Sequence, residues 1–163
     1  MKKIITIILA IMLVTISLAG CSGGALNGPD ITLITDKGNI DDKSFNQGSW
    51  EGVVEFGKRE KIPHTYIKPE EGSDAGYLDA IDLAAEGGAK VIVTPGYLFE
   101  VAMFEAQTRY PEIKFILLDG SPHTADYEIF DTKPNVASIL YAEEQTGYFA
   151  GYAAVKDGMT NLG

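Results

Sequence analysis

Three stretches of this chain carry side chains suited to binding or chemistry. The first, Asp36-Lys37-Gly38-Asn39-Ile40-Asp41-Asp42-Lys43-Ser44-Phe45-Asn46, sets carboxylates just ahead of an aromatic ring and an amide. The others are Pro95-Gly96-Tyr97 and Asp119-Gly120-Ser121. A ring stacked on another ring gains about 0.5 to 1.5 kcal/mol beyond area burial, and a carboxylate accepts two hydroxyl protons through charge-assisted bonds. Together they suit capture of a small polar molecule. Plainer uses exist for each residue. Carboxylates such as Asp41 and Asp42 near a helix N-terminus are stabilised by its dipole, by about 0.3 to 1 kcal/mol. Phe45 can equally be a staple under that helix, and Asp119 a turn residue before Gly120.

An enzymatic use of Asp36, Asp41, Asp42 and Asp119, around a metal or as acid and base, is poorly supported. The run lacks the D-x-D-x-D spacing of a calcium loop, holds Lys37 and Lys43, and offers no nucleophile–base pair. His64 and His123 lie far apart without paired-ligand spacing and read as surface or loop histidines. No catalytic residue, metal or cofactor is therefore assigned. No G-x-x-x-x-G-K-[ST] or G-x-G-x-x-G cradle is present, so acidic loops would repel a phosphorylated ligand and favour a neutral one.

These loops need a frame, and the chain alternates short β-rich runs with longer helical ones, the pattern of βαβ units. Strands are expected at Ile31 to Thr35, Thr65 to Lys68, Lys90 to Thr94, Lys114 to Leu118 and Val136 to Tyr141. Helices are expected from Phe45 to Glu60, with Trp50, Val53, Val54 and Gly57 on one face, and from Asp74 to Glu86, with Leu78, Ile81 and Ala85 inward. A third spans Leu98 to Tyr110, its stripe being Phe99, Met103, Ala106 and Tyr110, and Pro111 ends it. Ser44 and Gln47 read as a capping box, and Gly87-Gly88 as a helix stop. Right-handed crossovers wind such units into one doubly wound parallel α/β sheet. Ligands in such sheets sit beyond the carboxyl ends of the strands, where the three loops converge.

The N-terminus reads as an export signal: Lys2 and Lys3, an apolar run from Ile4 to Ala19, then Gly20 before the sole cysteine. Leu18-Ala19-Gly20-Cys21 is similar to a bacterial lipobox, in which Cys21 is acylated after cleavage. Residues 1–20 are then a lipoprotein signal peptide and 21–29 a flexible tether. Lipidation leaves no thiol for a disulfide. Of 13 basic and 23 acidic residues, cleavage removes Lys2 and Lys3, leaving 11 basic and a formal charge of about −12. Nucleic acid and anionic lipid are unsuited partners for such a charge.

Asp42-Lys43-Ser44-Phe45-Asn46-Gln47 resembles the D-x-S-F-N motif of the basic membrane lipoprotein family of ABC-transporter binding proteins, which includes bacterial purine-nucleoside receptors. Leu117-Leu118-Asp119-Gly120, Asn135-Val136-Ala137-Ser138, and then Glu144, Tyr148, Ala150, Gly151 and Ala154 keep the family's order across residues 30 to 163. The resemblance implies a type I periplasmic-binding-protein fold and a receptor anchored on the extracytoplasmic face of the cell membrane. Such a receptor passes a purine nucleoside to an ABC-transporter permease. It places Asp42 in the ligand motif, stacks Phe45 on the purine, hydrogen-bonds Asn46 to the ligand and sets Asp119 on the ribose hydroxyls. Gly96 and Tyr97 can supply a second wall, whereas Phe99 begins the helical stripe and belongs to the core. A receptor for a free sugar or another small polar solute is the alternative, and an extracytoplasmic nucleoside hydrolase a more distant one. Residues 30–142 are expected to form the N-terminal lobe. Residues 143–163 would be the first helix of a truncated second lobe, with Gly147 and Gly151 meant for close packing there.

Overall fold

The computed structural model describes residues 28–161. The expected signal, Cys21 and most of the tether lie outside the described residues. Strand β1 (Ile31–Ile34) leads through helix α1 (Phe45–Glu60) to β2 (His64–Ile67), then through α2 (Asp74–Glu86) to β3 (Val91–Pro95). A 3-10 turn (Tyr97–Phe99) and helix α3 (Glu100–Arg109) connect β3 to β4 (Lys114–Leu118). β5 (Val136–Ile139) and α4 (Glu143–Lys156) follow. All pairings are parallel and the order is β2-β1-β3-β4-β5, a doubly wound α/β sheet. The chain steps outward from β1 to β2 and then back past β1 to β3, which makes the gap between β1 and β3 the topological switch point.

Alternation along the strands decides which helix lies on which face. Ile31, Leu33 and Val93 point one way and bury with Val53, Trp50 and Ile62 of α1 and its exit. Ile34, Ile92, Phe115 and Leu117 point the other way, under α2 and α3, against Tyr77, Ile81, Phe99, Met103 and Ala106. Period-2 strands sandwiched between period-3.6 helices are what a sheet buried on both faces requires.

Several boundaries differ from expectation for identifiable reasons. The inward face of α2 is Tyr77, Ala80, Ile81 and Ala84, with Leu78 and Ala85 only partly buried and Leu83 exposed. Tyr77 takes the central place because its ring packs 4.4 Å from Phe99, a contact that no spacing rule within α2 foretells. The expected Leu98–Tyr110 helix begins instead with the 3-10 turn, since Gly96, at φ 108°, has just redirected the chain. His123 is no surface histidine: it is 1% exposed, held by a carboxylate described below. Helix α4 follows β5 where expected; it has no buried residue, and Gly147 and Gly151 have open space where a Cβ would stand, a face that the described residues do not cover.

Gly57 shows why α1 can approach β2. A Cβ there would lie 2.2 Å from Nδ1 of His64, whereas one at Gly52 meets nothing within 4 Å. Substituting alanine at either site gains up to about 1 kcal/mol of helix propensity. At Gly57 the overlap costs about 1 to 3 kcal/mol. We expect Gly52→Ala to raise the denaturant midpoint and Gly57→Ala to lower it, with no change in the slope of either curve.

Candidate functional site

The loop after β1 is organised by one buried amide. Asn46, 1% exposed, accepts the Asp36 N–H at Oδ1 (3.1 Å). It donates from Nδ2 to Asp36 Oδ1 (2.7 Å) and to Asp42 Oδ2 (2.9 Å). Asp36 Oδ1 also accepts the Gly38 N–H at 2.6 Å. A Cβ on Gly38 would fall 2.7 Å from Asn46 Nδ2, so the turn closes only around glycine. Both amide hydrogens of Asn46 are thus donated within the loop. Asp36 and Asn46 tie the strand end to the first turn of α1, and the turn presents its neighbour, Phe45, outward.

Asp42, not Ser44, caps α1. Its Oδ1 accepts the N–H groups of Ser44 (2.8 Å) and Gln47 (3.1 Å), and its Oδ2 accepts that of Asn46 (3.3 Å). The Ser44 side chain makes no cap bond, and Gln47 reaches back past Ser44 to the Lys43 N–H, so the expected box does not form. A carboxylate displaces a hydroxyl here because it offers two oxygens and a full charge to the orphan N–H groups and the helix dipole. Desolvation pushes the Asp42 pKa up, but the bonds from Gln47, Ser44 and Asn46 outweigh it and hold the carboxyl below its ordinary value.

Phe45 is 38% exposed, and its ring meets Tyr141 edge-on at 6.0 Å and 81°. Ser44, Phe45, Gly48, Ser49, Leu118 and Tyr141 line an open cleft of about 460 Å³ at the carboxyl end of the sheet. Asp119 follows Leu118 directly, at φ 60°, its N–H donating to the Ile139 carbonyl at 2.7 Å. Among the described residues no cation pairs with it. A hydrogen bond with Asp119, and then its charge, raises the pKa of Glu143 on α4.

Tyr97 is 64% exposed and opens onto a separate hollow of about 180 Å³ with Asp74, His123 and Tyr127. The structure therefore joins Phe45 to the β4 end and sets Tyr97 on the far side of the loop after β3. Gly96, at φ 108°, donates its N–H to the Leu118 carbonyl at 2.7 Å, lacing that loop to β4. Tyr141, Glu143, Glu100 and His123 also stand at this end of the sheet. Their approach comes from tertiary packing, and only the place of Glu100 at a helix start gave any signal in the sequence. Another hollow of about 380 Å³, at the outer edge between β2 and α2, contains none of the expected ligand-binding residues. Among the described residues no group of three or more His, Cys, Asp or Glu side chains could hold a metal, and no helix is long and apolar enough to cross a membrane.

Residues 31–161 match the family described as ABC transporter substrate-binding protein PnrA-like. The ABC transporter nucleoside-binding protein BmpA of Lactococcus lactis subsp. cremoris is 29% identical over 99% of this chain and 47% of its own length. A CD4+ T-cell-stimulating antigen of Listeria monocytogenes is 30% identical over 80% of this chain and 35% of its own. For basic membrane protein A of Borreliella burgdorferi the figures are 29%, 92% and 42%. Among solved structures, an ABC transporter solute-binding protein from Aeropyrum pernix K1 superposes with a TM-score of 0.64 at 26% identity, over 76% of this chain and 31% of the other. The chain spans about half the length, or less, of these relatives.

The Asp42 carboxylate makes a pH prediction. A carboxyl held below its unfolded value of about 3.9 contributes stability above that pH and loses it as pH falls through the folded value. Melting curves of the parent and of Asp42→Asn should differ most at neutral pH, with the parent the more stable, and draw together below about pH 4. A constant offset between them would remove the charged cap as the cause.

Proposed function

This chain belongs to the PnrA-like family of ABC-transporter substrate-binding proteins, and from that premise we propose that it is a lipid-anchored receptor for a purine nucleoside. It captures the nucleoside on the extracytoplasmic face of the membrane, delivers it to an ABC-transporter permease and catalyses nothing. Cys21 carries the lipid in this reading. The observation that supports the ligand class is the exposed Phe45 ring, sharing one cleft with Leu118, the residue just before Asp119, whose carboxylate has no cation partner among the described residues.

The proposed roles follow from that geometry. The purine stacks on Phe45, with Tyr141 across its edge, a contact worth about 0.5 to 1.5 kcal/mol beyond burial. Asp119 accepts the two ribose hydroxyls through charge-assisted bonds. A ligand lacking the diol would leave that carboxylate unpaired on desolvation, at about 1 to 3 kcal/mol. Asp42 and Asn46 act as the frame that fixes Phe45, and Asn46 Oδ1, an oxygen with two lone pairs, can accept one further bond from the ligand. Gly96 and Tyr97 are assigned a second wall, although Tyr97 opens onto a separate hollow, so they would meet the ligand only across the loop after β3. The carboxylates Asp36, Asp42 and Asp119 at one end of the sheet disfavour a phosphorylated ligand. Lobe closure over the ligand would come from the part of the relatives' length that this chain does not span.

Calorimetric titration of the full-length, signal-free protein against inosine, guanosine, adenosine, a matching nucleotide and ribose tests the reading. Tight nucleoside binding without turnover, and weak nucleotide binding, is the expected result. Binding of ribose alone would move the assignment to a sugar receptor, and slow product formation to a hydrolase. Phe45→Ala should weaken nucleoside binding by about 1 to 3 kcal/mol, roughly ten- to a hundredfold, with the melting temperature little changed. Unchanged affinity in a folded variant removes Phe45 from the site.

A further inference from the structure

We propose that Glu100 is the positioning residue of this site: it clips the loop after β3 to the loop after β4, with His123 as its anchor, and so holds Asp119 ready for a pair of ligand hydroxyls. Glu100 opens α3, yet its side chain is only 18% exposed because it turns onto the neighbouring loop. Oε1 accepts the Ser121 N–H at 2.8 Å, and Oε2 faces His123 Nε2 at 3.1 Å. Just before Ser121 lies Gly120, where a Cβ would fall 2.9 Å from Glu100 Cγ. The carboxylate arm therefore lies directly over the peptide that follows Asp119.

Asp119 needs such a clip. Its φ of 60° lies in the left-handed region that non-glycine residues avoid. On its N-terminal side the backbone is fixed by bonds from Asp119 N–H to the Ile139 carbonyl and from Gly96 N–H to the Leu118 carbonyl, each 2.7 Å. On its C-terminal side the bond from Ser121 N–H to Glu100 does the fixing. Without it, the Asp119–Gly120 segment is free to relax toward an ordinary conformation and swing the carboxylate away. His123 makes the clip rigid. Its Nδ1 stands 2.7 Å from the Thr124 carbonyl and its Nε2 3.1 Å from Glu100 Oε2, and since carbonyl and carboxylate oxygens accept, each contact holds a hydrogen of its own. Its ring lies between Tyr127 at 4.2 Å and Phe130 at 5.0 Å. Nε2 is thereby held where Glu100 meets it.

The ligand named in the test rests on the nucleoside reading, while the clip itself does not, so two readouts are needed. In the full-length protein, Glu100→Ala and Glu100→Gln are titrated with inosine and with 2′,3′-dideoxyinosine, which keeps the base and lacks the diol. Backbone amide hydrogen exchange at Ser121 is followed without ligand. Glu100→Ala should weaken inosine binding by about tenfold or more, leave dideoxyinosine nearly unchanged, and speed Ser121 exchange by a similar factor. The Asp36 amide, bonded within the other loop, should exchange as before. Glu100→Gln keeps an oxygen for the Ser121 N–H and should restore most of both signals. Equal weakening of the two ligands, or Ser121 exchange that does not change, overturns the proposal. If the parent protein binds neither ligand, the nucleoside reading fails and the Ser121 exchange alone decides: acceleration upholds the clip, and its absence refutes it.

Discussion

Two carboxylates, Asp36 and Asp42, share the single amide of Asn46, and the candidate site is arranged around that shared group. Asp36 belongs to the end of β1 and Asp42 to the approach to α1, so the amide welds strand end to helix start. Burial makes the weld decisive: inside the protein, an amide left unpaired is costly, and one that donates to two ionised partners is held firmly. Phe45 is next to Asn46 in sequence, so its ring is aimed by a residue that is itself immovable. The exposure of Phe45 is therefore a built feature of the first turn, with the polar framework beneath it and the cleft above.

The sheet supplies the second half of that arrangement. Because β1 and β3 are neighbours while the chain between them visits β2, the loops after β1 and β3 part in opposite directions. The loop after β3 is then laced to β4 by Gly96 and by the side chain of Glu100, three residues past Tyr97. The rigid parts of the site are thus backbone and carboxylates, and the aromatic faces of Phe45, Tyr97 and Tyr141 are what they expose. Such division of labour, with orientation fixed in advance, lowers the ordering cost when a ligand arrives.

Much of this was legible in the residues. Strand and helix positions followed from periodicity and from Gly87-Gly88 and Pro111. Illegible features share one cause, dependence on contacts between segments distant in the chain. Ser44 and Gln47 have the spacing of a capping box, but the better acceptor, Asp42, lies two residues upstream and wins by charge. The inward face of α2 is rotated because Tyr77 meets Phe99. His123 looked like a loop histidine because its partner, Glu100, lies 23 residues earlier. Asn135 stood in the sequence only as the residue before an expected strand. In the fold its amide donates to the carbonyls of Gln107, Tyr110 and Ile113, closing the end of α3 as it opens β5.

The all-parallel register also constrains the order in which the protein can fold. Ile31 of β1 pairs with His64 on one side and with Val91 on the other, and no two strands are joined by a tight turn. A hairpin nucleus is therefore impossible among these strands, and every ladder must wait for its crossover to close. β1, the most deeply buried strand, gains its second neighbour only when the chain has been made as far as β3. A topology so dependent on distant pairings folds slowly for its size. A growing chain will accordingly stay open through most of the synthesis of this sheet, with local order confined to its helical segments.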